Sequence, residues 1–242
     1  MANLPLVLFD IDGTILRSGD PTHARSVRLA CQEFFAIDAT APIPAEVDLS
    51  GRTDRRIVVT LLAVYGVPVA ESEPRLPEMF AFMEDYVTRE MGQLRERVLP
   101  SVVELLDALV AQDLALGLVT GNLPRIAEAK LTAAGVWEPF TRQREIIGGF
   151  GHASVERDDL PPLALEIATR VLGRPVVGAD SVIIGDTPHD ITCGKACGAR
   201  TLAVATGRFG LDALQAYAPD LLLPDLSDRE QIMAFLHNDH VA

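Results

Sequence analysis

The stretch Leu6-Val7-Leu8-Phe9-Asp10-Ile11-Asp12-Gly13-Thr14 decides how the rest of the chain is read. Four apolar residues form a short buried-strand signal that stops at two carboxylates one residue apart, and Gly13-Thr14 then turns the chain. Side chains alternate along a strand, so continued extension would put Asp10 and Asp12 on one face at the carboxyl end of that strand. A lone Asp there is ordinary turn or helix-cap chemistry. Two acids on a buried apolar run are costly unless something cationic binds, and the pattern therefore points to a site.

Working outward, the same pattern returns at Ser181-Val182-Ile183-Ile184-Gly185-Asp186, with Thr187, Pro188, His189 and Asp190 leading into a short helix that Gly198 ends. A third apolar run, 114–119, stops at Thr120-Gly121-Asn122 and is followed by a helix over 125–134. Further strands are expected at 201–205, before Thr206-Gly207, and at 221–223, with a weaker one at Ile146-Ile147. Residues 148–151 are Gly-rich and 156–159 are charged, and both read as loop before a helix at 162–172. Strands alternating with helices predict an α/β fold with a doubly wound parallel sheet, whose ligand lies beyond the carboxyl ends of the strands where strand order reverses.

Between Thr14 and residue 98 the periodicity is helical, over 23–35, 57–65 and 76–94. Residues 17–97 are thus expected to form an all-helical insertion, and residues 1–16 with 98–242 the α/β core. An insertion directly after a catalytic strand end can act as a lid over the site, or it can be a helical subdomain with no gating role. Thr53 or Asp54 suits the cap of the second helix, and Arg52 beside them is either solvated or faces an anionic group of a substrate.

Composition narrows the partners. The chain has 242 residues, 48% of them hydrophobic, with 34 acidic residues against 21 basic ones and a net charge of −13. That balance, without a long basic run, argues against nucleic acid or an anionic membrane surface and suits a metal cation. Cys31, Cys193 and Cys197 lack paired metal-ligand spacing and read as free thiols of a reducing cytoplasm. No basic segment precedes the first apolar run, and no stretch approaches the roughly 18 apolar residues a membrane span needs. The expectation is a soluble cytoplasmic protein, monomeric or a small homo-oligomer.

Carboxylates gathered from two strand ends repel one another unless a divalent cation sits between them. Hard oxygen ligands with room for water favour Mg²⁺, which commonly works with substrate phosphates. The hydroxyls of Thr14 and Thr120 and the amides of Gly13 and Gly121 would then donate to phosphate oxygens. A cation is needed to balance the remaining charge. Lys130, one of two lysines in the chain, and Arg157 in the charged loop are the candidates. His189 reads as a neighbour of the metal rather than a ligand.

The Asp10-Ile11-Asp12-Gly13-Thr14 string resembles motif I of the haloacid dehalogenase-like (HAD) hydrolases in its phosphatase form, and the resemblance extends across most of the chain. It implies a Rossmann-like core with a C1-type helical cap. Asp10 would be the nucleophile that forms an aspartyl-phosphate, and Asp12 the general acid and base. Asp10, the Asp12 main-chain carbonyl and Asp186 would hold Mg²⁺, with Asp190 in support. Thr120 resembles the motif II hydroxyl that orients the phosphoryl group, with Gly121 and Asn122 beside it. Gly51-Arg52-Thr53-Asp54 resembles a substrate-facing cap segment.

No Lys-Pro pair of the usual motif III lies between Ile147 and Ser181, which leaves Lys130 as the expected cation and Arg157 as the alternative. The implied activity is Mg²⁺-dependent hydrolysis of a small phosphorylated metabolite, in the manner of the phosphoglycolate phosphatase-like branch. Dehalogenases need neither the second acid nor the metal, so Asp12 with Asp186 and Asp190 argues for phosphoryl transfer. A phosphomutase would use the same aspartyl-phosphate. A phospho-accepting signalling or binding module shares the acidic pocket and the metal, yet needs neither the helical insertion nor the second acid pair.

Overall fold

The structure is a computed structural model that describes residues 5–44 and 47–237. The ends of the expected core, 1–4 and 238–242, and residues 45–46 of the expected insertion lie outside them. Six strands form one all-parallel sheet: β1 (Leu6–Phe9), β2 (Leu116–Thr120), β3 (Gly148–Phe150), β4 (Ser181–Gly185), β5 (Arg200–Val204) and β6 (Leu221–Leu223), in the order β3-β2-β1-β4-β5-β6. Helices α1 (Pro21–Phe35), α2 (Asp54–Val64), α3 (Val69–Ser72) and α4 (Leu76–Glu90) follow β1, and α5 (Val102–Ala111) leads into β2. The remaining helices are α6 (Pro124–Ala134), α7 (Leu160–Leu172), α8 (Pro188–Cys197), α9 (Leu211–Gln215) and α10 (Arg229–His237).

The apolar runs are continuous because both sheet faces are covered. Val7 and Phe9 of β1 join Leu116, Leu118, Val182 and Ile184 in a cluster closed by side chains of α5, α6 and α10. The alternate residues Leu6 and Leu8 point the other way, into a cluster with Leu160, Ala164 and Ala168 of α7 and Cys193 of α8. Strand order reverses at β1, which pairs with β2 on one side and β4 on the other. Phe9 is in register with both Leu118 and Ile184, so Asp10 leaves the sheet at the crevice where a doubly wound fold binds its ligand.

Two local expectations differ from the structure. The third strand lies at Gly148–Phe150, not Ile146-Ile147. The start of α7 packs so closely on it that a Cβ on Gly149 would overlap the Leu160 carbonyl. Close approach therefore selects glycine and removes the apolar signal of a strand. The charged stretch is also no loose loop: Arg157–Asp159 forms one 3₁₀ turn that runs directly into α7.

The helices after β1 gather around their own apolar cluster, including Val27, Val58, Leu62, Met79 and Met83, which Leu123 and Ile126 at the start of α6 also enter. Asp20 caps α1 through the amides of Thr22 and His23, and Thr53 caps α2 by accepting from the Arg56 amide at 3.1 Å. The first turn of α2 sits on the loop beyond β2. Its Asp54 amide donates to the Gly121 carbonyl at 2.7 Å, and the Asp54 carboxylate accepts from the Leu123 amide at 2.8 Å. Gly121 permits this approach, since a Cβ there would overlap the Arg52 carbonyl. Among the described residues no helix is long and apolar enough to cross a membrane.

Candidate active site

The ends of β1 and β2 and the first turn of α8 meet at Arg157, which a 3₁₀ turn supplies. Its Nη2 donates to Asp10 Oδ1 at 2.7 Å, to Asp190 Oδ1 at 2.6 Å and to the Val119 carbonyl at 3.1 Å. Its Nη1 donates to the Gly51 carbonyl at 3.2 Å, which ties the segment before α2 into the same network. The other oxygen of Asp190 accepts from the Thr187 amide at 3.0 Å and hydroxyl at 2.7 Å, closing a capping box at the start of α8. Asp186 stands at the end of β4 and accepts from the Thr14 hydroxyl at 3.2 Å.

Asp10, Asp186 and Asp190 are all buried, and one carboxylate oxygen from each lies within 4.8 Å of the others. Burial is the main cause that pushes Asp10 up to about 7; Arg157 opposes it and Asp190 adds to it. Burial, then the negative charges of Asp10 and Asp190, push Asp186 up to about 8. Three buried acids around one guanidinium leave negative charge unbalanced. An all-oxygen donor set of this kind fits a hard divalent cation such as Mg²⁺.

Asp12 belongs to a different cluster, because the extension of β1 does not persist. The chain folds back at once, with the Ile11 carbonyl accepting from the amides of Thr14, Ile15 and Leu16. Asp12 Oδ2 accepts from Lys130 Nζ at 2.7 Å and from Asn122 Nδ2 at 2.8 Å. Lys130 also donates to Asn122 Oδ1 at 2.8 Å, and Asn122 Nδ2 to Thr120 Oγ1 at 2.8 Å. Burial works against ionisation of Asp12, yet Lys130, His23 and Asn122 together hold it below the usual carboxylate range. Two acids one residue apart thus have separate cations and opposite shifts, the pattern that divides roles between a pair of carboxylates.

Of the candidate catalytic, phosphate-binding and metal residues, all but Gly13, Thr14 and Asp190 line one cavity of about 520 Å³, and His189 and Thr53 do not line it. Thr14, expected as a phosphate donor, is fully buried and spends its hydroxyl on Asp186. Gly13 offers its carbonyl to the Thr206 hydroxyl at 2.5 Å. Lys130, the expected balancing cation, meets Asp12, and Arg157, the alternative, lies beside Asp10. The buried face of α6, with Ile126, Ala127, Leu131 and Ala134, carries Lys130 down beside the end of β2.

Arg52 lines the cavity, and its guanidinium has no hydrogen bond or ion pair among the described residues. His189 lies outside the acid group, its pKa lowered by burial and then by Arg52 and Arg157. Sequence reading named Thr187 and Thr206 without a role and did not foresee the His23–Asp54 contact of 3.0 Å. For Thr206 a signal existed, since β5 is a further apolar run ending in a hydroxyl.

Arg157→Ala is expected to destabilise the fold. Breaking a buried ion pair costs about 3–5 kcal/mol, or roughly 6–20 °C in melting temperature at about 2–4 °C per kcal/mol for a chain of this size. Differential scanning fluorimetry measures it, and an unchanged melting temperature would mean that Asp10 and Asp190 do not depend on this cation.

Comparison with known proteins agrees with this geometry. A family model described as haloacid dehalogenase-like hydrolase matches residues 4–198. "Probable phosphatase IndB" of Dickeya dadantii (strain 3937) is 26% identical over 233 residues, covering 93% of this chain and 91% of that protein. "Phosphoglycolate phosphatase" of Salmonella choleraesuis (strain SC-B67) is 24% identical over 257 aligned positions, covering 99% and 96%. The crystal structure of a predicted phosphatase from Clostridium acetobutylicum matches with a TM-score of 0.66 at 17% identity, over 96% of this chain and 100% of that one, a likeness of fold.

Proposed function

Since the chain belongs to the haloacid dehalogenase-like hydrolase family, we propose that it is a Mg²⁺-dependent phosphatase that hydrolyses a small phosphorylated metabolite through an aspartyl-phosphate on Asp10. The observation that carries this reading is the division of acids: Asp10 lies in the buried group with Asp186 and Asp190, and Asp12 is held apart by Lys130. Relatives named as phosphatases support the same class of reaction.

Asp10 Oδ1 is fixed by Arg157, which leaves Oδ2 to attack phosphorus as the ester bond to the leaving oxygen breaks. Lys130 keeps Asp12 ionised, so Asp12 takes the proton of the substrate monoanion, whose second pKa is about 6, and passes it to the leaving oxygen. In the second half water attacks phosphorus, Asp12 accepts its proton and Asp10 is released with inorganic phosphate. Thr120, whose oxygen accepts from Asn122, keeps its own hydrogen for a phosphoryl oxygen, and Arg52 meets a further anionic group of the substrate.

The Asp10 and Asp186 carboxylates and the Asp12 main-chain carbonyl would hold Mg²⁺. When bound, it offsets the charge of these acids and of the phosphoryl oxygens. Asp190, whose oxygens also accept from Arg157 and Thr187, would stand in support of the metal and fixes Arg157. Residues 17–97 act as a cap, since the first turn of α2 rests on the Gly121 loop and the cavity lies between helices and acids.

The purified protein is expected to release p-nitrophenol from p-nitrophenyl phosphate with Mg²⁺ and to lose that activity in EDTA, with recovery on adding Mg²⁺. Turnover unaffected by EDTA would contradict the metal requirement. A single equivalent of phosphate taken up without turnover would mark a phospho-accepting module instead.

A further inference from the structure

The cavity extends well past the reacting acids. Its volume is about 520 Å³. A phosphoryl group needs only the end bounded by Asp10, Thr120 and Asp186. Elsewhere the wall turns apolar, with Val27, Ile43, Leu49, Ile57, Leu61 and Phe209. Val27 and Leu61 are buried within the cluster of the helical insertion, whereas Ile43, Leu49, Ile57 and Phe209 remain half-exposed. Contiguous half-exposed apolar side chains around a few polar groups are the make-up of a small-molecule site.

Of the cations on this wall, Arg28 and Arg52 have no anionic partner among the described residues. Arg28 donates to the carbonyls of Ala39 and Ala41 at 3.2 and 2.8 Å, and Arg208 to Asp48 at 2.8 Å and Ser50 at 2.9 Å. His23 pairs with Asp54 and Lys130 with Asp12.

We infer that the substrate is a phosphate monoester of an alcohol with a sizeable apolar body that lies against this wall. The inference rests on the phosphatase reading above. A two-carbon acid ester or pyrophosphate can satisfy Arg52 and the acids, but either leaves the apolar wall in contact with water. Each methylene buried there contributes the transfer free energy of a hydrocarbon group, which corresponds to about fourfold in kcat/KM.

The test is kcat/KM for ethyl, butyl and hexyl phosphate with Mg²⁺, a series of matched leaving groups, alongside 2-phosphoglycolate and pyrophosphate. The expected result is a rise of about fourfold per methylene, on the order of 10²-fold from ethyl to hexyl, with hexyl phosphate above both small anionic substrates. Phe209→Ala and Ile57→Ser should each flatten that slope. A flat series in the unaltered protein, an unchanged slope in both variants, or preference for 2-phosphoglycolate or pyrophosphate overturns the substrate class and leaves the phosphatase reading standing. Absence of phosphate release from every compound overturns both.

Discussion

Asp10→Asn should abolish turnover, with a loss on the order of 10⁴-fold or more, as when the nucleophile of a covalent mechanism is removed. The amide has the shape of the acid and keeps an oxygen where Arg157 donates at 2.7 Å. Folding is therefore preserved. The substitution also removes one of the three acids crowded within 4.8 Å, so the melting temperature without metal should hold or rise. Steady-state phosphate release from pure protein measures the effect, and retention of more than about a hundredth of the activity would contradict the nucleophile assignment.

Asp12→Asn is expected to lower kcat by about 10²–10⁴-fold, the usual range for a general acid and base. The two half-reactions should suffer differently. p-Nitrophenolate leaves without a proton, so phosphorylation of Asp10 survives while attack by water stalls. Stopped-flow absorbance should then record a burst of one product per site followed by slow release. An alkyl phosphate, whose leaving oxygen needs the proton, should give no burst. A slow linear trace with the aryl ester would mean that Asp12 does not serve the second half-reaction.

The strands that position these acids were legible because β1 and β4 are buried on both faces, so that Leu6–Phe9 and Val182–Ile184 read as apolar runs. β3 was displaced in the sequence reading for the opposite reason: Gly148 and Gly149 carry no apolar side chain, and contact with α7 allows none at Gly149. The pairing of Asp10 with a distant Asp186 followed from two similar strand ends in one sheet. How the acids divide among cations did not. Arg157 sits in Glu156-Arg157-Asp158-Asp159, a string that resembles a solvated turn, and only the 3₁₀ turn at the head of α7 carries it beneath the sheet edge. Lys130 did leave a trace, since it falls on the apolar stripe of α6, but a stripe does not say which acid the amine reaches.

The tight turn after Ile11 explains the remaining difference. Alternation along an extended strand would have put Asp10 and Asp12 on one face, against one metal. The fold-back onto the Ile11 carbonyl instead turns Asp12 to Lys130 and Asn122, and leaves Thr14 behind Asp186. The Asp12 carboxylate is thereby set apart from the carboxylates proposed to hold the metal.

The central claim is that Asp10 carries the phosphoryl group between the two half-reactions. Mass spectrometry of peptides from the Asp12→Asn protein, acid-quenched during the burst with p-nitrophenyl phosphate and Mg²⁺, tests it directly. The account predicts one phosphoryl group per chain, on the peptide containing Asp10 and absent when Asp10→Asn is added. A burst without label on that peptide, or label on another residue, would contradict it.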